Sequence, residues 1–124
     1  MCNNDLFCGV NSAQSTDISE MSVLEKKHIP FIEAPRMVKK EESFVVSITV
    51  GKLLTHPNEN GHFIEWIELY SGDTFLARTD LVPRLTSPKV SFTVALDHEH
   101  SLVVRARCNI HGVWQSFPFQ ITVE

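Results

Sequence analysis

Ser101-Leu102-Val103-Val104-Arg105-Ala106-Arg107-Cys108 alternates along its whole length, with Leu102, Val104 and Ala106 on one face and Val103, Arg105 and Arg107 on the other. A period of two with a charged face is the pattern of a half-buried strand; helical apolar residues would recur every three or four positions. The polar turn Asp97-His98-Glu99-His100 precedes it, and residues 89–96 alternate again, so 89–108 reads as two strands paired in a hairpin.

Working outward, the same grammar repeats. Phe44-Val45-Val46-Ser47-Ile48-Thr49-Val50 is β-branched and partly alternating. His62-Phe63-Ile64-Glu65-Trp66-Ile67-Glu68-Leu69-Tyr70 is a further strand, turned by Ser71-Gly72-Asp73 into a partner over residues 74–81. Pro83 and Pro88 mark an irregular link, and residues 39–42 form a polar turn. Residues 113–123 alternate loosely through Trp114, Phe117, Phe119, Ile121 and Val123. Six or seven strands and no long helical pattern point to an all-β fold, an immunoglobulin-like antiparallel β-sandwich of about seven strands.

Residues 1–22, rich in Asn, Ser, Asp and Thr, read as a flexible N-terminal tail, with a short helix conceivable over 17–24, capped by Thr16 or Asp17. The folded domain is expected over residues 23–124. In Glu25-Lys26-Lys27-His28-Ile29-Pro30-Phe31-Ile32-Glu33-Ala34-Pro35 the two prolines oppose a regular helix and favour an extended loop or edge segment. The charged run is either a solvated turn or the support of a positioned His28.

Composition narrows the function classes. A 124-residue chain of net charge −4 with scattered basic residues lacks the basic stripe that nucleic acid requires. No apolar run approaches the roughly 20 residues that span a bilayer, and the N-terminus has no charged-then-apolar leader. The expectation is a soluble, cytoplasmic protein. Its three cysteines are no disulfide framework, although a Cys2–Cys8 bridge could form; Cys108 is expected as a free thiol, either a ligand or a small core residue.

Six histidines carry the remaining information. His98 and His100 lie in a turn and are assigned no role. His28 precedes a proline-fixed segment, His56 precedes Pro57 in a loop over 51–61, His62 opens a strand, and His111 follows Cys108 in Cys108-Asn109-Ile110-His111-Gly112. Loops gather at the ends of a sandwich, so four imidazoles and one thiolate could converge. Structural zinc closes its site with four ligands, so five donors argue against it. A thiolate with imidazoles suits iron or copper.

Lys27-His28-Ile29-Pro30, His56-Pro57 with His62 six residues on, Trp66-Ile67-Glu68-Leu69-Tyr70 and Cys108-Asn109-Ile110-His111-Gly112 together resemble superoxide reductase over about residues 24–124, and more narrowly its one-iron form, neelaredoxin, the catalytic part of desulfoferrodoxin. The resemblance implies one iron ion per chain, held by His28, His56, His62 and His111 in a plane with Cys108 axial. It implies an open sixth position, superoxide as substrate, hydrogen peroxide as product and a small redox protein such as rubredoxin as electron donor. A homo-oligomer, dimer or tetramer, is expected. The family's Glu-Lys-His run becomes Glu25-Lys26-Lys27-His28 here, with Lys27 matching the lysine that draws in superoxide and Glu25 standing for the glutamate that occupies the sixth position of the resting ferric ion. No four-cysteine second iron site is visible. Two other readings stand beside this one: a cupredoxin-like copper electron carrier with Gln115 as weak axial ligand, and a non-catalytic immunoglobulin-like interaction module. Fold alone does not choose among them.

Overall fold

The computed structural model describes residues 5–124. Seven strands of four or more residues build two facing sheets. One sheet holds β2 (Pro30–Glu33), β4 (Phe44–Val50) and β7 (Lys89–Val94), in the order β2-β4-β7. The other runs β1-β9-β8-β5-β6, from β1 (Val10–Asn11), β9 (Gly112–Gln115), β8 (Leu102–Cys108), β5 (Ile64–Ser71) and β6 (Thr74–Asp80). The long pairings are all antiparallel, whereas two short ones are parallel: β1 with β9, and β3 (Met37–Val38) with β10 (Thr122–Val123). Between the sheets Val46, Ile48 and Val50 of β4 pack against Ile67 and Leu69 of β5 and Leu102, Val104 and Ala106 of β8, all buried. The period-two face of β8 is therefore the core face, as its alternation requires.

Three local readings are corrected. Residues 89–108 are not a hairpin: β7 pairs with β4 and β8 with β5, so the Asp97–His100 turn crosses from one sheet to the other. Leu96 is buried at the crossing and its carbonyl accepts from the Glu41 amide at 2.8 Å, which anchors the chain as it changes sheets. Residues 113–123 are not one strand, because Pro118 interrupts them. After β9, Phe119 forms an isolated bridge with Leu102, and β10 joins β3. The stretch expected as a tail is partly docked: β1 lies on β9, Ala13 and Met21 are buried with Ile29 and Trp114, and the Asn11 carboxamide donates to the Leu6 carbonyl at 2.8 Å and the Val113 carbonyl at 2.9 Å.

The helical reading of 17–24 splits in two. Asp17 caps a 3-10 turn over Ile18–Glu20, and Ser22 caps the helix α1 (Val23–His28). Cys2 lies outside the described residues, and so does the expectation of a Cys2–Cys8 bridge. Among the described residues no helix is long and apolar enough to cross a membrane.

Candidate metal centre

Each candidate ligand is placed by a local device that its neighbours encode. The six-residue α1 is too short to persist alone. Its first turn is held by a capping box in which the Ser22 hydroxyl accepts from the Glu25 amide at 3.1 Å and Glu25 Oε1 accepts from the Ser22 amide at 2.8 Å. Pro30 ends the helix two residues after His28, since it cannot donate the next backbone bond. His28 is thereby the last helical residue, only 1 % exposed, and its Nδ1–H donates to the Leu24 carbonyl at 2.7 Å.

His56, 3 % exposed, donates Nδ1–H to the Pro57 carbonyl at 2.7 Å. The loop turns towards it at Gly51, whose φ of +88° and close approach to the His56 amide admit no side chain. His62 does not open β5; it closes a tight turn with Glu59, through two reciprocal backbone bonds of 2.9 and 3.1 Å. Cys108 ends β8 fully buried, and His111 stands three residues on in the same turn.

The chain brings all five together. One ligand atom each from His28, His56, His62 and Cys108 lies within 4.8 Å of the others. His111 Nδ1 is 3.2 Å from His28 Nε2 and 3.6 Å from Cys108 Sγ. The rings form a closed square: centroids are 4.7 Å apart for His28–His56, 4.8 Å for His56–His62, 5.1 Å for His62–His111 and 4.9 Å for His111–His28. Neighbouring rings stand at 69° to 84° to each other, edge towards face around a common centre.

Proton placement decides what that centre holds. The carbonyls of Leu24 and Pro57 can only accept, so His28 and His56 carry their protons on Nδ1. Their Nε2 lone pairs then face each other at 3.2 Å with no proton between them. His62 Nε2 is buried without any partner. Burial pushes His28 and His56 down to about 4, aided for His28 by His111, His62 and Lys27 and for His56 by its neighbouring imidazoles, against the carbonyl bonds. His111 is lowered by burial, His62 and Lys27. Converging imidazole nitrogens, with that of His62 buried and unpartnered, are costly unless a cation lies among them. Burial raises the Cys108 thiol, while the amides of Ile110 and His111 stabilise the thiolate in opposition. Four nitrogens and one sulfur thus fit a transition metal.

A match to the desulfoferrodoxin family spans residues 20–117. The chain belongs to the desulfoferrodoxin family. Within it, a Methanocaldococcus jannaschii protein, named provisionally as a superoxide reductase, is 44 % identical over 113 residues, covering 88 % of this chain and 90 % of its own. The neelaredoxin of Megalodesulfovibrio gigas is 31 % identical over 109 residues, covering 73 % of this chain and 84 % of its own. The solved superoxide reductase (neelaredoxin) from Ignicoccus hospitalis superposes with a TM-score of 0.78 at 35 % identity, covering 93 % of this chain and 95 % of that one. The family likeness agrees with the β-sandwich of this chain.

Not every expected site residue reaches the cluster. Lys27, half-buried in the last turn of α1, is near enough to act on His28 and His111. Glu25 is directed elsewhere: besides the Ser22 amide, its second oxygen accepts from the Gln14 amide at 3.0 Å. These bonds hold it below the usual carboxylate range and at the opposite end of the helix from His28. His98 and His100 are exposed and stack on each other, outside the cluster. Gln115 accepts from Arg105 Nε at 3.0 Å on the opposite face of β9 from Trp114, so it offers no axial ligand. Trp114 is the residue the sequence did not mark. It stacks on His28 at 5.0 Å and 24°, and its indole N–H donates to the His111 carbonyl at 3.0 Å. Its only sequence trace is an aromatic at an alternating strand position.

Proposed function

We propose that this chain is a superoxide reductase whose centre takes one iron ion, which His28, His56, His62, His111 and the Cys108 thiolate would hold. The observation that carries the reading is the square of four imidazoles whose ring nitrogens converge beside a buried thiol, with His62 Nε2 buried and unpartnered among them. Bound iron would supply the single electron that, with two protons, converts superoxide to hydrogen peroxide. The protein's part is to hold and tune. Nδ1–H bonds to Leu24 and Pro57 orient two rings, and amides of Ile110 and His111 reach the sulfur and lower its donor strength.

Because the protein is negative overall, a local cation must attract the substrate anion, and we assign that role to Lys27, whose charge acts on His28. Glu25 is committed to the capping box and the Gln14 amide, so it is not among the residues that would hold the iron. A small redox protein such as rubredoxin would return the electron. A cytoplasmic setting suits the free thiol at Cys108, and a dimer or tetramer suits a sandwich with edge strands β2 and β6. The copper-carrier alternative loses its axial ligand with Gln115 and leaves His62 unexplained.

Metal analysis with oxidised and reduced spectra tests the reading. One iron per chain with a thiolate-to-iron band in the oxidised form, together with turnover of superoxide, is the expected result. Copper, or no metal at all, would overturn it.

A further inference from the structure

The β5–β8 ladder changes register at Glu65: Ile64 opposes Cys108, and the next pair is Trp66 with Arg107. A bulge of this kind disrupts regular pairing and frees the residues beyond it from the ladder. Just beyond it lies His62, whose Nε2 must meet the other donors. Its own backbone bonds reach only across the turn to Glu59.

One residue restores the missing register. The Asn109 amide donates to the Phe63 carbonyl at 3.1 Å. The return bond, which a ladder takes from a backbone carbonyl, comes instead from the side chain: the Phe63 amide donates to Asn109 Oδ1 at 2.9 Å. Asn109 Nδ2 then donates to the Gly61 carbonyl at 2.9 Å. Three bonds from one residue grip the peptide groups on both sides of His62, and that residue is covalently attached to Cys108. A carboxamide suits this because it offers an acceptor and a donor side by side; a carboxylate would meet the Gly61 carbonyl with a second acceptor.

We propose that Asn109 is a positioning residue that sets His62 relative to Cys108, an inference that rests on reading the cluster as a metal site. Partners behind the ligands typically change metal affinity by about 10–100-fold when removed. The test is a double-mutant cycle on the full chain, titrating Fe2+ alone under anaerobic conditions into wild type, Asn109→Ala, His62→Ala and the double variant. Asn109→Ala is expected to weaken binding by about 10–100-fold, and to add nothing once His62 is gone. Effects that multiply would overturn the proposal, since Asn109 would then act elsewhere. Amide exchange on the metal-free protein gives a second readout. Faster exchange confined to the Phe63 amide supports positioning, whereas general acceleration along β8 would reduce Asn109 to a sheet-holding role. Wild type that binds no iron would sink the metal reading itself, a failure distinct from multiplicative effects on iron that is bound.

Discussion

At the scale of single residues, the centre is organised by where three polar hydrogens go. Leu24 and Pro57 take the Nδ1 protons of His28 and His56, and Trp114 ties its indole to the His111 backbone. The chemistry assigned to each side chain can then be removed one atom at a time. Cys108→Ser should abolish the thiolate-to-iron band and the reductase activity, checked by the oxidised spectrum and a superoxide assay; retained activity would rule out the axial thiolate. Lys27→Ala should slow the reaction with superoxide by about tenfold, flatten its ionic-strength dependence and leave the iron content unchanged. An unaltered rate would place the steering charge elsewhere. For Glu25→Ala the expected ferric spectrum is that of wild type, because its carboxylate is committed to the amides of Ser22 and Gln14. A shifted spectrum would return Glu25 to the metal.

At the scale of elements, two short pieces do more than their length suggests. The six residues of α1 depend on their cap, so Ser22→Ala should cost about 1 kcal/mol and weaken iron binding through His28, measured by denaturant unfolding and iron titration. The Cys108–Gly112 turn depends on Gly112, which adopts φ +79°. A Cβ there would collide with the Leu6 carbonyl, so the docked N-terminal segment crosses where no side chain fits. Gly112→Ala is expected to destabilise by roughly 1–3 kcal/mol and to loosen residues 5–11, seen as faster amide exchange there. The capping pair Ser22 and Glu25 is present in the sequence, where the run before His28 equally suggests Glu25 as a metal-facing acid. Local spacing allows both roles, and the Ser22 and Gln14 amides, one on each carboxylate oxygen, separate them.

At the scale of the whole molecule, the buried centre makes the metal-free protein sensitive to acid. His28 and His56 are held near 4 in the folded state, against 6.5 for an unperturbed imidazole. The unfolded chain therefore binds more protons than the folded one between those values, and stability falls as pH falls from 6.5 to about 4. Urea midpoints of the metal-free protein should drop across that window and change little above it from these two groups. A flat profile would mean that the imidazoles are not buried neutral together.

The sequence by itself determined the main strands of both sheets and the donors. Alternation in residues 101–108 and the β-branched run at 44–50 specify faces that must be buried, because a period of two leaves no other way to hide them. The Cys108-x-x-His111 pair and the loop histidines supplied the chemistry before any contact was known. Tertiary structure alone decided the rest. Partner choice placed β7 and β8 in different sheets, since periodicity marks a buried face but not the strand that lies beside it. Docking of residues 5–22, the stacking of Trp114 on His28 and the hold of Asn109 around His62 join positions up to about a hundred apart in sequence, as in the 102-residue span from Asn11 to Val113. Such contacts exist only once segments far apart in the chain have paired and packed, and the convergence of the four imidazoles is of the same kind.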